Sequence, residues 1–393
     1  DVFKGLMETI VYRSLDEAET AWRDFEATAE CWPFQSFDFV SAWHRTIGRA
    51  KGVEPCIALV VDSNDTPVML LPLGLEKRGP FRRLSWLGGR MADFKGPLLA
   101  RDLGEGVTGG QFEKTWDAIR KALPAHDFVV FDAQPDVIGT QRNPFATLSK
   151  RLHPSASHYT LLEGDFDSFL ASKRSGKSRW RMRRKYRLLE ELGEVEFVVP
   201  TTDAEIESIM WAVFEQKSRV YRELGVRNLF AEPECREFCL SLAKSSSPGG
   251  LAHLSALKLD GEIIAAHWGL VFRRRFYFLF PSYAEGDIQR LSPGVSLLQH
   301  LFQWCFEHGV QAFDFTAGDE QYKERWCDRE LELYCHFQAT SLPGLAPAGV
   351  SSAATAVKGV IKRSEVLWPV AERVRSALGR GRSLIRSRRR DTP

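Results

Sequence analysis

The segment Tyr283-Ala284-Glu285-Gly286-Asp287-Ile288-Gln289-Arg290-Leu291-Ser292-Pro293-Gly294-Val295-Ser296 lies between an apolar strand pattern and a strongly amphipathic helical one. Ser292 suits the capping position of that helix, Pro293 its first turn, and Gly294 removes a side chain where a ligand would approach. Free N–H groups and the dipole at such a helix start bind phosphates, with Arg290 as a charged clamp. The same residues also describe an ordinary capped helix. A second candidate is the run 173–187, with nine positive residues and no acid. It could contact a phosphate-bearing substrate, anionic lipid head groups or an RNA backbone, or it is a solvated helix docked by Leu188, Leu189 and Leu192. Only Trp180 and Tyr186 are interleaved as stacking aromatics, which disfavours RNA, and no specific nucleic-acid partner is expected. Arg179, Arg183 and Arg187 recur at i, i+4 and i+8, so one helix face could hold an acceptor carrying phosphate or another anion.

His267 sits in an apolar strand pattern, where a satisfied core histidine competes with a general base. Asp314 and Asp319 bracket Gly318 at a strand end, so they either aim into a cleft or cap the next helix. No nucleophile elbow or Ser/His/Asp order stands out, which argues against covalent catalysis. The seven cysteines are scattered, with no C-x-x-C pair and no metal-ligand spacing. No metal is expected, and Cys235 and Cys239 read as buried thiols on one helix face.

The elements that would position these groups follow from periodicity. In the first part, a strand at 9–12, helices at 15–29 and 36–47, a hairpin at 55–61 and 67–73, a strand at 81–87, a helix at 111–123 and a strand at 128–131 make an α/β unit. Asn143-Pro144 and His153-Pro154 punctuate the connection, and 159–162 could be a shared crossing strand. The second part opens with a helix from 165 to 192, closed by Gly193. A strand at 195–199, helices at 203–224 and 232–244, and strands at 253–259, 262–272 and 275–281 follow. After them come a helix at 293–308, a strand at 312–315, a short helix at 319–326 and a strand at 331–337. The expected domains are 1–155 and 156–342, with 343–393 as linker and basic tail.

At 393 residues the chain is too long for one ordinary core, and 44% hydrophobic with 26% charged residues is the balance of a folded globular protein. No run of about 18 uncharged apolar residues occurs, and the first residues lack a secretory layout, so a cytoplasmic location is expected. Residues 351–393 hold eleven Lys/Arg against three acids, a charge of +8, leaving −6 for the remainder of the +2 chain. Such a tail either seeks an anionic surface, such as the inner face of a membrane, or keeps the protein soluble.

The order strand, strand, strand, phosphate-type loop, long helix, strand, short helix, strand resembles the GNAT acyl-CoA fold from its second strand onward. The runs Gly261-x-x-x-Ala265-Ala266-His267, Ser292-Pro293-Gly294-x-x-Leu297-Leu298 and Phe313-Asp314-Phe315-x-x-Gly318-Asp319-Glu320-x-Tyr322-Lys323-x-x-Trp326 are similar to the GNAT branch grouped with the CelD proteins of bacterial cellulose biosynthesis. That branch is similar in architecture to the Fem-type peptidyl transferases, and the likeness runs from Phe34-Gln35-Ser36 to about Leu342. The resemblance implies an α/β chain of two tandem GNAT-like domains, each a mixed, largely antiparallel sheet flanked by helices. It also implies an N-acyltransferase that moves an acyl group, acetyl by expectation, from acyl-CoA directly to an amine of an envelope or polysaccharide-related acceptor lying between the domains.

Gln289, Arg290, Ser292, Gly294, Val295 and Ser296 are the expected donor-binding set. The usual pyrophosphate signature appears only out of register, as Arg290-Leu291-Ser292-Pro293-Gly294-Val295. By the same resemblance Tyr322 protonates the leaving thiolate; Asp319 and Lys323, its neighbours at helical spacing, either hold the phenol or form a plain surface pair, and a carboxylate or histidine, with Asp314 and His267 as candidates, removes the amine proton. Two alternatives stand beside this one: a non-catalytic scaffold of a polysaccharide or envelope assembly, and a Fem-type transferase using aminoacyl-tRNA.

Overall fold

The computed structural model describes residues 7–103, 110–148, 151–245, 250–318, 320 and 322–363. The chain divides into two compact units, 1–157 with 331–363 and 158–330. Each is a mixed, largely antiparallel sheet with helices, the fold class expected.

In the first unit β1 (Glu8–Tyr12), β2 (Glu54–Val61), β3 (Pro67–Arg78) and β4 (Phe81–Trp86) pair antiparallel in sequence order. Asp65, at φ 58°, turns the β2–β3 hairpin. Helices α1 (Leu15–Thr28) and α2 (Phe37–Trp43) begin at Ser14 and Ser36, whose side chains accept from the N–H groups of Glu17 and Phe39. A short β5 (Leu98–Leu99) pairs with β3, α3 (Gly110–Ala122) follows, and β6 (Phe128–Pro135) runs parallel to β4. A small hairpin of β7 (Val137–Ile138) and β8 (Gln141–Arg142) and the edge strand β9 (Arg151–Leu152) end this stretch. Trp86, Trp116 and Phe131 each meet Phe145 edge to face in its core, and Trp86 stacks on Phe131.

The second unit starts with β10 (Ser157–Leu161), which lies inside the second sheet. The single helix expected over 165–192 is two, α4 (Phe166–Lys173) and α5 (Gly176–Glu190). Arg174 is extended, and the Ser175 side chain accepts from Ser178 N–H to start the second helix afresh. After β11 (Val195–Val198), α6 (Asp203–Glu223) opens on a capping box in which Thr202 and Glu205 satisfy each other's backbone N–H. Helix α7 (Pro233–Ser245) precedes the meander β12 (Ala252–Leu259), β13 (Glu262–Phe272) and β14 (Arg275–Tyr283). Helix α8 (Pro293–Glu307) lays Leu297, Leu298, Leu301, Phe302 and Cys305 on the sheet. Strand β15 (Ala312–Ala317) then joins β14, and β16 (Arg329–Leu331) ends the unit. The sheet order is β11-β12-β13-β14-β15-β10-β16.

The strand expected at 331–337 differs from expectation. Strand β17 (Leu333–Ala339) pairs antiparallel with β6 in the first sheet, so the chain returns to the first unit at Leu331. Residues expected as linker form α9 (Leu345–Arg363), packed against β17 and β6. The basic residues beyond Arg363 lie outside the described residues. Cys235 and Cys239 are buried free thiols. No described helix is long and apolar enough to cross a membrane.

Candidate functional site

Strands β14 and β15 run parallel but pair over only three positions, Arg275↔Ala312, Phe276↔Phe313 and Tyr277↔Asp314. The remainder of β14, to Tyr283, carries on without a β15 partner in register. Side-chain cations bond the main chain of both parted ends. Lys217 Nζ, on α6, donates to Pro281 O at 3.2 Å, Arg219 to Tyr283 O at 2.7 Å, and Lys323 Nζ to Thr316 O at 3.2 Å. Thr316 stands at φ 61°, a strained conformation for a β-branched residue, held by its N–H on Asp314 Oδ1 at 2.7 Å.

Lys323 is almost wholly buried and also pairs with Glu320 Oε2 at 2.9 Å. Burial pushes the Lys217 ammonium down to about 8, with Glu320 opposing and Lys323 adding to the fall. Burial works to raise the Glu320 carboxyl, but the Lys323 ammonium outweighs it and holds the group below its ordinary value. Tyr322, 39% exposed, meets Phe315 edge to face at 6.0 Å. Burial and then Glu320 raise its phenol, so it stays protonated. The short helix expected at 319–326 is a 3₁₀ turn at Lys323–Arg325. Asp319 lies outside the described residues.

Between β14 and α8 the chain makes a 3₁₀ turn at Asp287–Leu291, entered through Gly286 at φ 90° and left through Ser292 at φ 57°. Pro293 opens α8 as expected. Ser292 does not cap with its side chain; its hydroxyl instead accepts from Lys185 Nζ of α5 at 2.7 Å. Val295 and Ser296 N–H both bond Ser292 O, at 2.9 and 3.2 Å, and Pro293 has no N–H, so Gly294 N–H is the donor left in the first turn. A methyl on Gly294 would meet only the Tyr283 ring, at ordinary contact distance. Gln289 and Arg290 are exposed, and the Arg290 guanidinium, 3.4 Å from Asp287, turns back on its own loop. Val295 is half exposed and Ser296 buried.

His267 is fully buried, stacked on Phe278 at 4.6 Å, and neither ring nitrogen has a hydrogen-bond partner. Burial, with His253 and Lys217 adding to it, drives its pKa well below the ordinary value, so the ring is a neutral core group. Asp314 is likewise fully buried and bonded by Arg275 through two nitrogens at 3.0 and 2.7 Å; it braces the β14–β15 junction rather than aiming into a cleft. Arg183 and Arg187 are exposed on α5 and Arg179 is half-buried, on a helix that packs against α8 and the 287–291 turn. This is the donor-loop side.

A cleft of about 610 Å³ adjoins the end of β14, lined by Arg219 together with Trp211, Phe214 and Arg222 of α6, Arg236 of α7 and Glu285 after β14. Neither this cleft nor Lys217 and Glu320 stands out in the sequence. One signal was available for Lys217: the buried stripe Ile206, Met210, Val213 of α6 continues at helical spacing onto position 217, where a lysine replaces the expected apolar residue. Among the described residues no group of His, Cys, Asp and Glu could hold a metal ion.

No curated protein matches the chain significantly. Among solved structures, FemX superposes with a TM-score of 0.55 at 12% identity, over 83% of this chain and 96% of that one. A tandem GNAT protein from the clavulanic acid biosynthesis pathway matches at 0.45 and 14%, over 86% and 100%. L-PGS from Bacillus licheniformis matches at 0.44 and 16%, over 78% and 90%. At these identities the likeness to FemX is one of fold, spanning both units. Residues 176–324, which hold α5 to α8, the parted strands and the donor loop, match the model of the acetyltransferase (GNAT) domain.

Proposed function

We propose that the second unit transfers an acyl group, acetyl in the simplest case, from acyl-CoA to the amine of an anionic acceptor. The observation that carries this reading is the parting of β14 and β15 beside the start of α8, with Lys217, Glu320, Tyr322 and Lys323 at the open end. Acyl-CoA is a substrate here: Gly294 N–H, Lys185 and the α8 dipole hold its pyrophosphate, and the thioester arm lies between the parted strands. The acceptor nitrogen attacks the thioester carbon, the C–N bond forms and the C–S bond breaks. Lys217, titrating near 8, takes the amine proton in its neutral form and returns it to the departing sulfur, whose thiol has a similar ordinary value. Tyr322 donates a hydrogen bond to that sulfur. Trp211, Phe214, Arg219 and Arg222 supply an apolar wall and cations for the acceptor, which suits an envelope or polysaccharide-related amine bearing a carboxylate or phosphate. The three quoted sequence runs favour the CelD branch. The tail after Arg363 gives a second contact, to the cytoplasmic face of a membrane.

A thiol-release assay with acetyl-CoA and a panel of amino sugars and amino acids tests the reading. Acceptor-dependent release that disappears in Lys217→Met supports it, and no release with any amine, together with no thermal stabilisation by CoA, rejects it. One observation favours a second reading, a non-catalytic scaffold: Val295 and Ser296 already spend their N–H groups on Ser292 O, leaving a thin phosphate cradle.

A further inference from the structure

Three guanidinium groups from separate elements gather in the second unit without a bonded carboxylate among the described residues. Arg174, in the break between α4 and α5, lies over the Trp326 ring at 4.8 Å, and its Nε is buried with no hydrogen-bond partner. Trp326 is held from below by Phe302 of α8 at 5.1 Å. Arg325 precedes that tryptophan, and Arg181 stands in the first half of α5; both are exposed. Burial, then the charges of Arg325 and Arg181, lower the pKa of Arg174, which fixes all three within one field. The nearby carboxylate of Asp328 is already taken by Lys173 at 3.0 Å. Repelling cations with a desolvated, unbonded N–H are an arrangement that an anion relieves.

The cluster continues the donor loop. Arg181 precedes Lys185 by one turn of α5, about 6 Å along the axis, on the same helix face. Lys185 in turn bonds Ser292 at the start of α8. A line of positive charge therefore runs from the pyrophosphate position to Trp326.

We propose that Arg174, Arg181 and Arg325 form a second donor subsite, one that takes a phosphate monoester, the 3′-phosphate of the CoA adenosine. The assignment deepens the acyl-CoA reading and rests on it. A monoester dianion presents three oxygens to three guanidinium forks, whereas a diester of an RNA strand offers one charge and two free oxygens, which is the poorer match.

Calorimetric titration of the full chain with adenosine 3′,5′-bisphosphate and with adenosine 5′-monophosphate isolates the 3′-phosphate. The bisphosphate is expected to bind at least tenfold more tightly, and Arg181→Gln with Arg325→Gln, two exposed side chains, to shrink that preference to within twofold. Equal affinities, no binding of either nucleotide, or a preference that survives the double variant overturns the subsite. An RNA oligonucleotide that displaces the bisphosphate at equal phosphate concentration assigns the cluster to nucleic acid and also overturns it. Turnover of acetyl-CoA against acetyl-3′-dephospho-CoA separates the two claims. A nucleotide preference without thioester cleavage keeps the subsite and rejects acyl transfer; cleavage indifferent to the 3′-phosphate does the reverse.

Discussion

Lys217 and Pro281 meet where the second sheet opens: the lysine ammonium, near the end of the buried stripe of α6, donates to the proline carbonyl at 3.2 Å. A cation in that position is costly to bury, and burial is the main reason its pKa falls to about 8. Replacing it with methionine should lower kcat by about 100-fold or more, the ordinary scale for losing a proton-transfer group, while the CoA dissociation constant holds. Steady-state kinetics beside calorimetry check both halves.

The same group makes a prediction about stability and pH. Its folded value, about 8, lies below its ordinary 10.5, so between those values the unfolded chain binds more protons and stability rises with pH. Below about pH 8 both states hold the proton and the full penalty, about 3 kcal/mol, is present. The difference in unfolding free energy between wild type and Lys217→Met should therefore change by about that amount from pH 7 to 10.5. A flat difference in urea titrations across that range would contradict the burial argument.

Tyr322→Phe deletes only the phenol proton. Because burial and Glu320 raise that phenol, full transfer to a thiolate is uphill, and the residue's share is a hydrogen bond. The expected loss in kcat is about tenfold, with CoA affinity unchanged. Loss of 1000-fold would restore a general-acid role.

His267→Phe should leave turnover within about twofold and raise the melting temperature. Both ring nitrogens are buried without partners, and Phe removes them while keeping the stack on Phe278. A large fall in kcat at normal stability would mark His267 as part of the chemistry.

Asp314→Ala takes the buried carboxylate away from Arg275, whose guanidinium lies over the Tyr159 ring at 4.2 Å, and frees the Thr316 N–H that holds the strained turn. A loss of about 3 to 5 kcal/mol in denaturant unfolding is expected, the scale for breaking a buried pair from one side.

Truncation after Arg363 should fold normally and lose binding to anionic vesicles, since clustered Lys/Arg contribute about 1 kcal/mol each near such a surface. A cut at Ser351, by contrast, removes most of α9 and should destabilise the first unit. Vesicle sedimentation and thermal melts of the two truncations distinguish these effects.

What the sequence alone determined is local. The helix start at Asp203, the strand 262–272 and Pro293 at the start of α8 depend on neighbours within a few residues, and each lies where its pattern put it. The break at Arg174-Ser175 was not legible, because a serine inside a basic run reads as helix until its hydroxyl is seen to accept a new first-turn N–H. Tertiary structure decided the rest. Strand β17 follows the second unit in sequence but completes the sheet of the first, because Leu333 and Cys335 find their burial beside β6, some two hundred residues earlier. His267 and Asp314, polar letters in apolar strands, became a stacked ring and a buried ion pair only when Phe278 and Arg275 were brought beside them. Lys217, Glu320 and Lys323 share a field because α6 and the turn after β15 converge at the parted strands, and spacing along the chain carries no record of that approach.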